Sequence, residues 1–205
     1  MIKTTAMLIS ELSEYVNPKA KIGRMTDEGL LFPIIRGFYE DCADTPGHYL
    51  AGIIYGPSYI SFEFALAYYG LIEKKSWPVS CAAYGKRKEK YHETAFGVFT
   101  YRDIPKKAFP EELVLHQENG YSFIMASPEK AFCDELYKLS PAANLKELRT
   151  LMFDEIGIGK RKINRLDPAV MFRLADLYGC RNLHLLKSFL RKKYGHIDQA
   201  NSSEL

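Results

Sequence analysis

Four cysteines, a small net charge and only short apolar runs remove several protein classes from consideration at once. Cys42, Cys81, Cys133 and Cys180 lie far apart and form no C-x-x-C pair. That excludes a zinc ribbon or a disulfide framework and leaves reduced, mostly buried thiols. The histidines His48, His92, His116, His184 and His196 show neither H-E-x-x-H nor H-x-x-x-H spacing, so no zinc motif exists. No run approaches the roughly 18 apolar residues of a membrane span, and Met1-Ile2-Lys3-Thr4-Thr5 is not followed by a signal-peptide core and cleavage site. The expectation is a cytoplasmic protein with no membrane partner. A net charge of +3 does not by itself mark a nucleic-acid binder.

Catalytic patterns are missing in the same way. There is no G-x-S-x-G elbow. Gly159-Lys160 does not belong to a phosphate-binding loop, because position 154 is Asp where Gly is required and Arg161 stands where Ser or Thr would hold the metal. Glu73-Lys74-Lys75 has a nuclease-like spacing but follows a helix end and lacks a strand-borne Asp upstream, so surface charge explains it better. Glu129-Lys130 reads as a helix-start carboxylate and its neighbour. Asp134 and Glu135 are consecutive on a helix, roughly 100° apart, and cannot share one substrate atom. The sequence therefore predicts no catalytic residue, no metal and no small-molecule cofactor.

What is present is the composition of a globular chain: 205 residues, 47% hydrophobic and 26% charged, enough for one large domain or two small ones. The charge is unevenly spread. Residues 1–50 carry five Lys or Arg against seven Asp or Glu, and residues 151–205 carry ten against six.

Near the start, Met7, Leu8, Leu12 and Tyr15 approximate one helical face within residues 5–15. Asn17-Pro18 then stops that helix and opens another to about Glu28, with Lys19, Lys21 and Arg24 outward, Ile22 and Met25 inward, and Gly29 as its end. The run Leu30 to Tyr39 reads as two short strands about a turn at Arg36-Gly37, with Pro33 restricting the first to an edge. Helix, turn, helix and hairpin is a winged helix-turn-helix in outline.

Farther on, residues 46–55 suggest a linking helix. Gly56-Pro57 is a turn, and Ser61 is the expected cap of a helix from Phe62 to Gly70 that is apolar on all sides and so covered on most. Strand patterns follow at 77–84, 94–101, 113–116 and 121–125, the last two joined by Glu118-Asn119-Gly120. Ser127-Pro128-Glu129 opens a helix whose Ala131, Phe132, Glu135, Leu136 and Leu139 face the sheet, and three more helices are predicted at 145–156, 168–178 and 183–194.

Three stretches of the chain resemble the AbiEi-type antitoxins of type IV toxin–antitoxin, or abortive-infection, systems of bacteria. They are Ser10 to Tyr39, Tyr59 to Ile72, and Ala126-Ser127-Pro128-Glu129-Lys130-Ala131-Phe132-Cys133-Asp134. The resemblance implies a winged helix-turn-helix repressor that binds operator DNA of its own operon and also opposes a cognate nucleotidyltransferase toxin, with or without a stable complex.

The sequence-based expectation is thus an α+β protein. Residues 1–44 form a winged helix-turn-helix, and residues 45–205 form a domain with a small, mainly antiparallel sheet and several helices. DNA contact is assigned to Lys19, Lys21, Arg24, Arg36 and Tyr39, which offer cations for phosphates and side chains for base edges. Asp27, Glu28, Glu40 and Asp41 dilute that charge, and a solvated helix face is the plain alternative. The densest basic loop, Lys160-Arg161-Lys162 with Arg165, is open to three readings: a second nucleic-acid contact, a docking site for an acidic partner, or a solvated loop. Lys86-Arg87-Lys88 and Arg191-Lys192-Lys193 carry the same three. A free-standing regulator without a toxin partner and a protein-binding scaffold are the alternatives for the whole chain.

Overall fold

A computed structural model of the chain describes residues 1–73, 78–86 and 88–195. The Glu73-Lys74-Lys75 pattern, the start of the strand pattern at Trp77, Arg87 of the second basic cluster, and His196 fall wholly or partly outside those residues. Within them lie eight α-helices and two sheets, which makes the class α+β.

The first sheet and first two helices form a small unit. Strand β1 (Lys3–Thr4) leads into α1 (Thr5–Glu11), where the Thr4 side chain accepts from the Met7 amide at 3.2 Å. Helix α1 ends four residues earlier than the apolar spacing suggests, which leaves Tyr15 and Val16 exposed in the turn. Helix α2 (Pro18–Asp27) starts where the cap signal places it: Asn17 accepts from the Ala20 amide at 3.1 Å and Pro18 takes the first helical position. Then β2 (Phe32–Ile35) and β3 (Phe38–Glu40) form an antiparallel hairpin, and β1 pairs on the other side of β3. The order β1-β3-β2 puts the Pro33-bearing strand at an edge, where its missing N–H is harmless.

A 3-10 turn (Gly47–Leu50) and α3 (Ala51–Ile54) link this unit to the body. The body's sheet is larger than the sequence suggests and mixed. It contains β4 (Ser58–Ile60), β5 (Val79–Ala83), β6 (Lys90–Thr94), β7 (Gly97–Asp103), β8 (Leu113–Glu118) and β9 (Tyr121–Ala126), in the order β6-β7-β5-β4-β9-β8. Pairs β6/β7, β5/β4 and β9/β8 are antiparallel, while β7/β5 and β4/β9 are parallel. Strand β4 was hidden because it is three residues long, too short to show alternation. Strand β6 was hidden because its sequence is charged, as an edge strand's often is.

Helix α4 (Phe62–Tyr68) lies between β4 and β5 in sequence. Its expected cap is corrected by the structure. The Ser61 side chain does not cap the helix but donates to Asp134, and the capping is supplied by Ser80 on β5, whose Oγ accepts from the Phe64 amide at 3.1 Å and donates to the Ser61 carbonyl at 3.0 Å. The helix is covered on most sides: Phe62, Ala65 and Leu66 are buried, Glu63, Phe64 and Ala67 are half-buried, and Tyr68 is exposed.

Helix α5 (Pro128–Lys138) packs across α4 and is capped by Ser127, which accepts from the Lys130 amide. Helix α6 (Leu145–Thr150) runs into a π-helical turn (Leu151–Glu155), and a 3-10 turn (Lys162–Arg165) precedes α7 (Pro168–Tyr178) and α8 (Arg181–Tyr194). One large core joins sheet and helices, and Ile34 of the hairpin belongs to it. A separate small cluster of Leu8, Ile22 and Leu31 holds α1 against α2.

Through the centre of the body runs an enclosed polar network. Asp134 accepts four hydrogen bonds, from Lys130 Nζ at 3.1 Å and Tyr178 at 2.7 Å on one oxygen, and from Tyr59 at 3.0 Å and Ser61 at 2.7 Å on the other. Every acceptor direction of the carboxylate is used. Lys130 and Asp134 are fully buried, and burial holds the Lys130 ammonium below its usual range while pushing the Tyr59 and Tyr178 hydroxyls well above theirs. The network joins β4 to α5 and α7, with its charged pair fully enclosed, so it is a structural clasp.

Candidate nucleic-acid interface

Helix α2 buries one side chain, Ile22, and rests Met25 against the small cluster. The opposite face is solvent: Lys19, Ala20, Gly23, Arg24, Asp27 and Glu28 are exposed, and Lys21 is half-buried on the flank. Two small residues therefore lie between the cations. Gly23 has a particular significance here. A Cβ built on it meets nothing within 4 Å and its backbone is ordinary helix, so neither packing nor conformation demands glycine. In mid-helix it costs about 1 kcal/mol relative to alanine. A shallow, cationic helix face is what close approach to a ligand's backbone or groove requires.

Arg36 is exposed at the tip of the β2–β3 hairpin, beside Gly37, whose φ of +90° makes the tight turn. The tip is held to the start of α1 by the Thr5 amide, which donates to the Gly37 carbonyl at 2.9 Å. Tyr39 sits in the middle strand of the small sheet, half-buried and packed on the cluster of Leu8, Ile22 and Leu31. Its ring is thereby committed to packing more than the sequence implies. Among the described residues, Lys19, Arg24 and Arg36 form no ion pair, and Lys21 lies 5.8 Å from the Tyr15 ring centroid. Tyr15, exposed beside that lysine, lies beyond the end of α1 and not on the helical face that its spacing with Met7, Leu8 and Leu12 suggests.

The local acids are less competitive than their number suggests. Glu40 is buried, and with Asp41 it accepts from the Met1 ammonium; Glu11 pairs with Lys3 at 2.7 Å. That hydrogen bond to the amino terminus, working against a little desolvation, holds Asp41 below the usual carboxylate range. Asp27 and Glu28 remain at the C-terminal end of α2, exposed beside Arg24.

At the far end of the chain the structure brings together basic residues that are distant in sequence. Lys160, Arg161 and Arg165 are exposed and Lys162 is half-buried, their turn anchored by Ile163 and Leu166. Lys193 of α8 donates to Asn164 in the same turn, and Tyr194 reaches the same oxygen at 3.4 Å. Lys193 and Arg149 both lie within 6 Å of the Phe189 ring centroid, and Lys160 and Arg149 line one shallow depression with Lys146. The loop and the end of α8 thus form one cationic surface. None of Lys160, Arg161, Lys162 and Arg165 has an acidic partner among the described residues. Lys86, by contrast, sits over the Tyr55 ring at 4.9 Å.

Among the described residues no group of three carboxylates, imidazoles or thiols could hold a metal ion, and no helix is long and apolar enough to cross a membrane. Cys81 and Cys133 are buried and their thiols pushed far up by burial, whereas Cys42 is exposed. No protein-family model matches the chain, and no curated protein matches it.

Proposed function

We propose that the protein is a DNA-binding autorepressor of the antitoxin kind that its sequence resembles. In this reading residues 1–44 act as a winged helix-turn-helix with α2 in the major groove and the β2–β3 hairpin beside the phosphates. Residues 45–205 oppose a cognate nucleotidyltransferase toxin and carry no catalytic role. The observation that carries it is α2 itself: a solvent-facing helix whose small residues Ala20 and Gly23 are flanked by Lys19, Lys21 and Arg24, followed at once by a hairpin tipped with Arg36. Cations at a helix face supply phosphate contacts, and the missing bulk at Gly23 allows the backbone to come close to base edges. The basic surface of Lys160, Arg161, Lys162 and Arg165 is left for a second nucleic-acid contact or for antagonism of the toxin.

A gel-shift series on the DNA upstream of the protein's own gene tests the first half. Wild-type retardation should fall steeply with salt, and Lys21→Ala with Arg24→Ala should abolish it, or flatten the salt dependence by about two phosphate contacts. Circular dichroism of the double variant should be unchanged, since neither side chain supports the fold. Undiminished retardation would remove α2 from the interface. Growth rescue on co-expression with a neighbouring nucleotidyltransferase gene, using the full chain and residues 45–205 separately, tests the second half.

A further inference from the structure

Between α4, α5 and the π-helical turn lies a cavity of about 420 Å³ that has no part in the reading above. Among the described residues its charged lining is Glu63, Glu73, Glu135, Asp154 and Glu155, five carboxylates against the ammonium of Lys138. Lys138 is already shared, donating to Glu63 and lying 2.7 Å from Glu135 Oε1. The other oxygen of that carboxylate, Glu135 Oε2, is buried and has no hydrogen-bond partner, on a side chain only 5% exposed. An orphaned buried oxygen of this kind is costly and marks a place where a donor is missing.

We propose that this cavity binds an organic cation, an ammonium or guanidinium group, whose N–H donors complete Glu135 and whose charge offsets Glu63, Asp154 and Glu155. The same chemistry could reach the site on a free polyamine or on a basic side chain of another protein. An organic cation fits better than a metal ion, because no three of the described carboxylates converge as metal ligands. The aliphatic side chains of Ile72, Leu139 and Ile156 in the same lining give the methylene stem of such a group a surface to lie on. The volume is that of a small-ligand site, and the π-helical turn that presents Asp154 and Glu155 is a form of backbone found often at functional positions.

The free protein has a substitute for the missing donor. Burial first, and then the neighbouring Glu63, push the Glu135 carboxyl up to about 7, with Lys138 pulling the other way. Near neutral pH a proton therefore occupies Glu135 part of the time. Among the described residues, the other charged groups facing it are Glu73, Asp154 and Glu155 across the cavity, with Arg102 acting on Glu63 from β7. A bound cation displaces that proton, so binding tightens as pH rises.

Calorimetric titration of the full chain with spermidine, with N-acetyl-arginine amide and with magnesium chloride tests the proposal. Saturable binding of spermidine or the arginine amide is expected, weakened about tenfold or more by Glu135→Gln and by Asp154→Asn. The better of the two probes identifies the source of the group. Affinity for the arginine amide should rise between about pH 6 and about pH 8 in the native chain and not in Glu135→Gln. Asp154 is exposed, so its variant keeps the fold even if Glu135→Gln does not. Absence of saturable binding by both organic probes, unchanged affinity in both variants, or magnesium binding equally well with the same variant dependence would overturn it.

Discussion

Two glycines show how differently the same residue can be required. Gly23 stands on an open helix face, and Gly23→Ala should stabilise the protein by about 1 kcal/mol, read as a higher urea midpoint. Gly47 is the reverse case: a Cβ there would come within 2.3 Å of the Phe96 carbonyl oxygen, a backbone atom that cannot swing aside. Gly47→Ala should cost about 1–3 kcal/mol in the same measurement. Glu135 sets a pH dependence of its own. Its carboxyl titrates at about 7 when folded and near the ordinary 4.5 when unfolded, so the native chain holds the extra proton between those values. The stability this proton gives is complete below about pH 4.5 and is lost as pH rises through about 7, by at most about 3 kcal/mol. Glu63 titrates elsewhere: burial raises it, but the Lys138 ammonium prevails and holds it below its usual value, so its contribution is lost only on acidification. Unfolding midpoints between about pH 5 and about pH 8 should fall in the native chain and stay level in Glu135→Gln.

At the scale of the element, α2 was legible because its boundaries are written in local chemistry. Asn17 and Pro18 open it, Gly29 ends it, and Ile22 and Met25 fall on one side. Asn17→Ala should remove the bond to the Ala20 amide and cost about 1 kcal/mol, and faster hydrogen exchange at Ala20 would locate the loss in this helix. Elements whose reasons are not local were misread. The start of α4 is satisfied by Ser80, nineteen residues away from Ser61, and nothing in the neighbouring sequence signals it. Strand β8 carries Leu115, 62% exposed, opposite Ile124, 44% exposed, at the edge of the large sheet. Its alternation is real, but which of its faces meets the core depends on the strands beside it.

At the scale of the whole molecule, the parts are tied by groups that look like surface in the sequence. Lys130 lies in the first turn of α5 and Asp134 one turn further on, a pairing that on most helices is solvated, yet both are enclosed among Tyr59, Ser61 and Tyr178. Lys130→Met should leave the Asp134 charge buried and uncompensated and cost about 3–5 kcal/mol. Adding Asp134→Asn should recover part of that in urea denaturation, because the amide carries no charge, its oxygen still accepting from the hydroxyl groups on one side while its NH2 donates to those on the other. The small unit depends on the body in turn: Leu8, Ile22 and Leu31 are its own core, while Ile34 is held in the larger one.

The sequence by itself determined the α+β class, the two-helix and hairpin order at the start, and the caps at Asn17 and Ser127, because each rests on residues within a few positions of one another. Only the tertiary structure decided the mixed order of the six strands, the fate of Lys130 and Asp134, the acidic cavity at Glu135 and the joining of Lys193 to the Lys162–Arg165 turn. Those features depend on which distant segments meet. Burial changes what a charged side chain does, and burial is a property of the assembled chain.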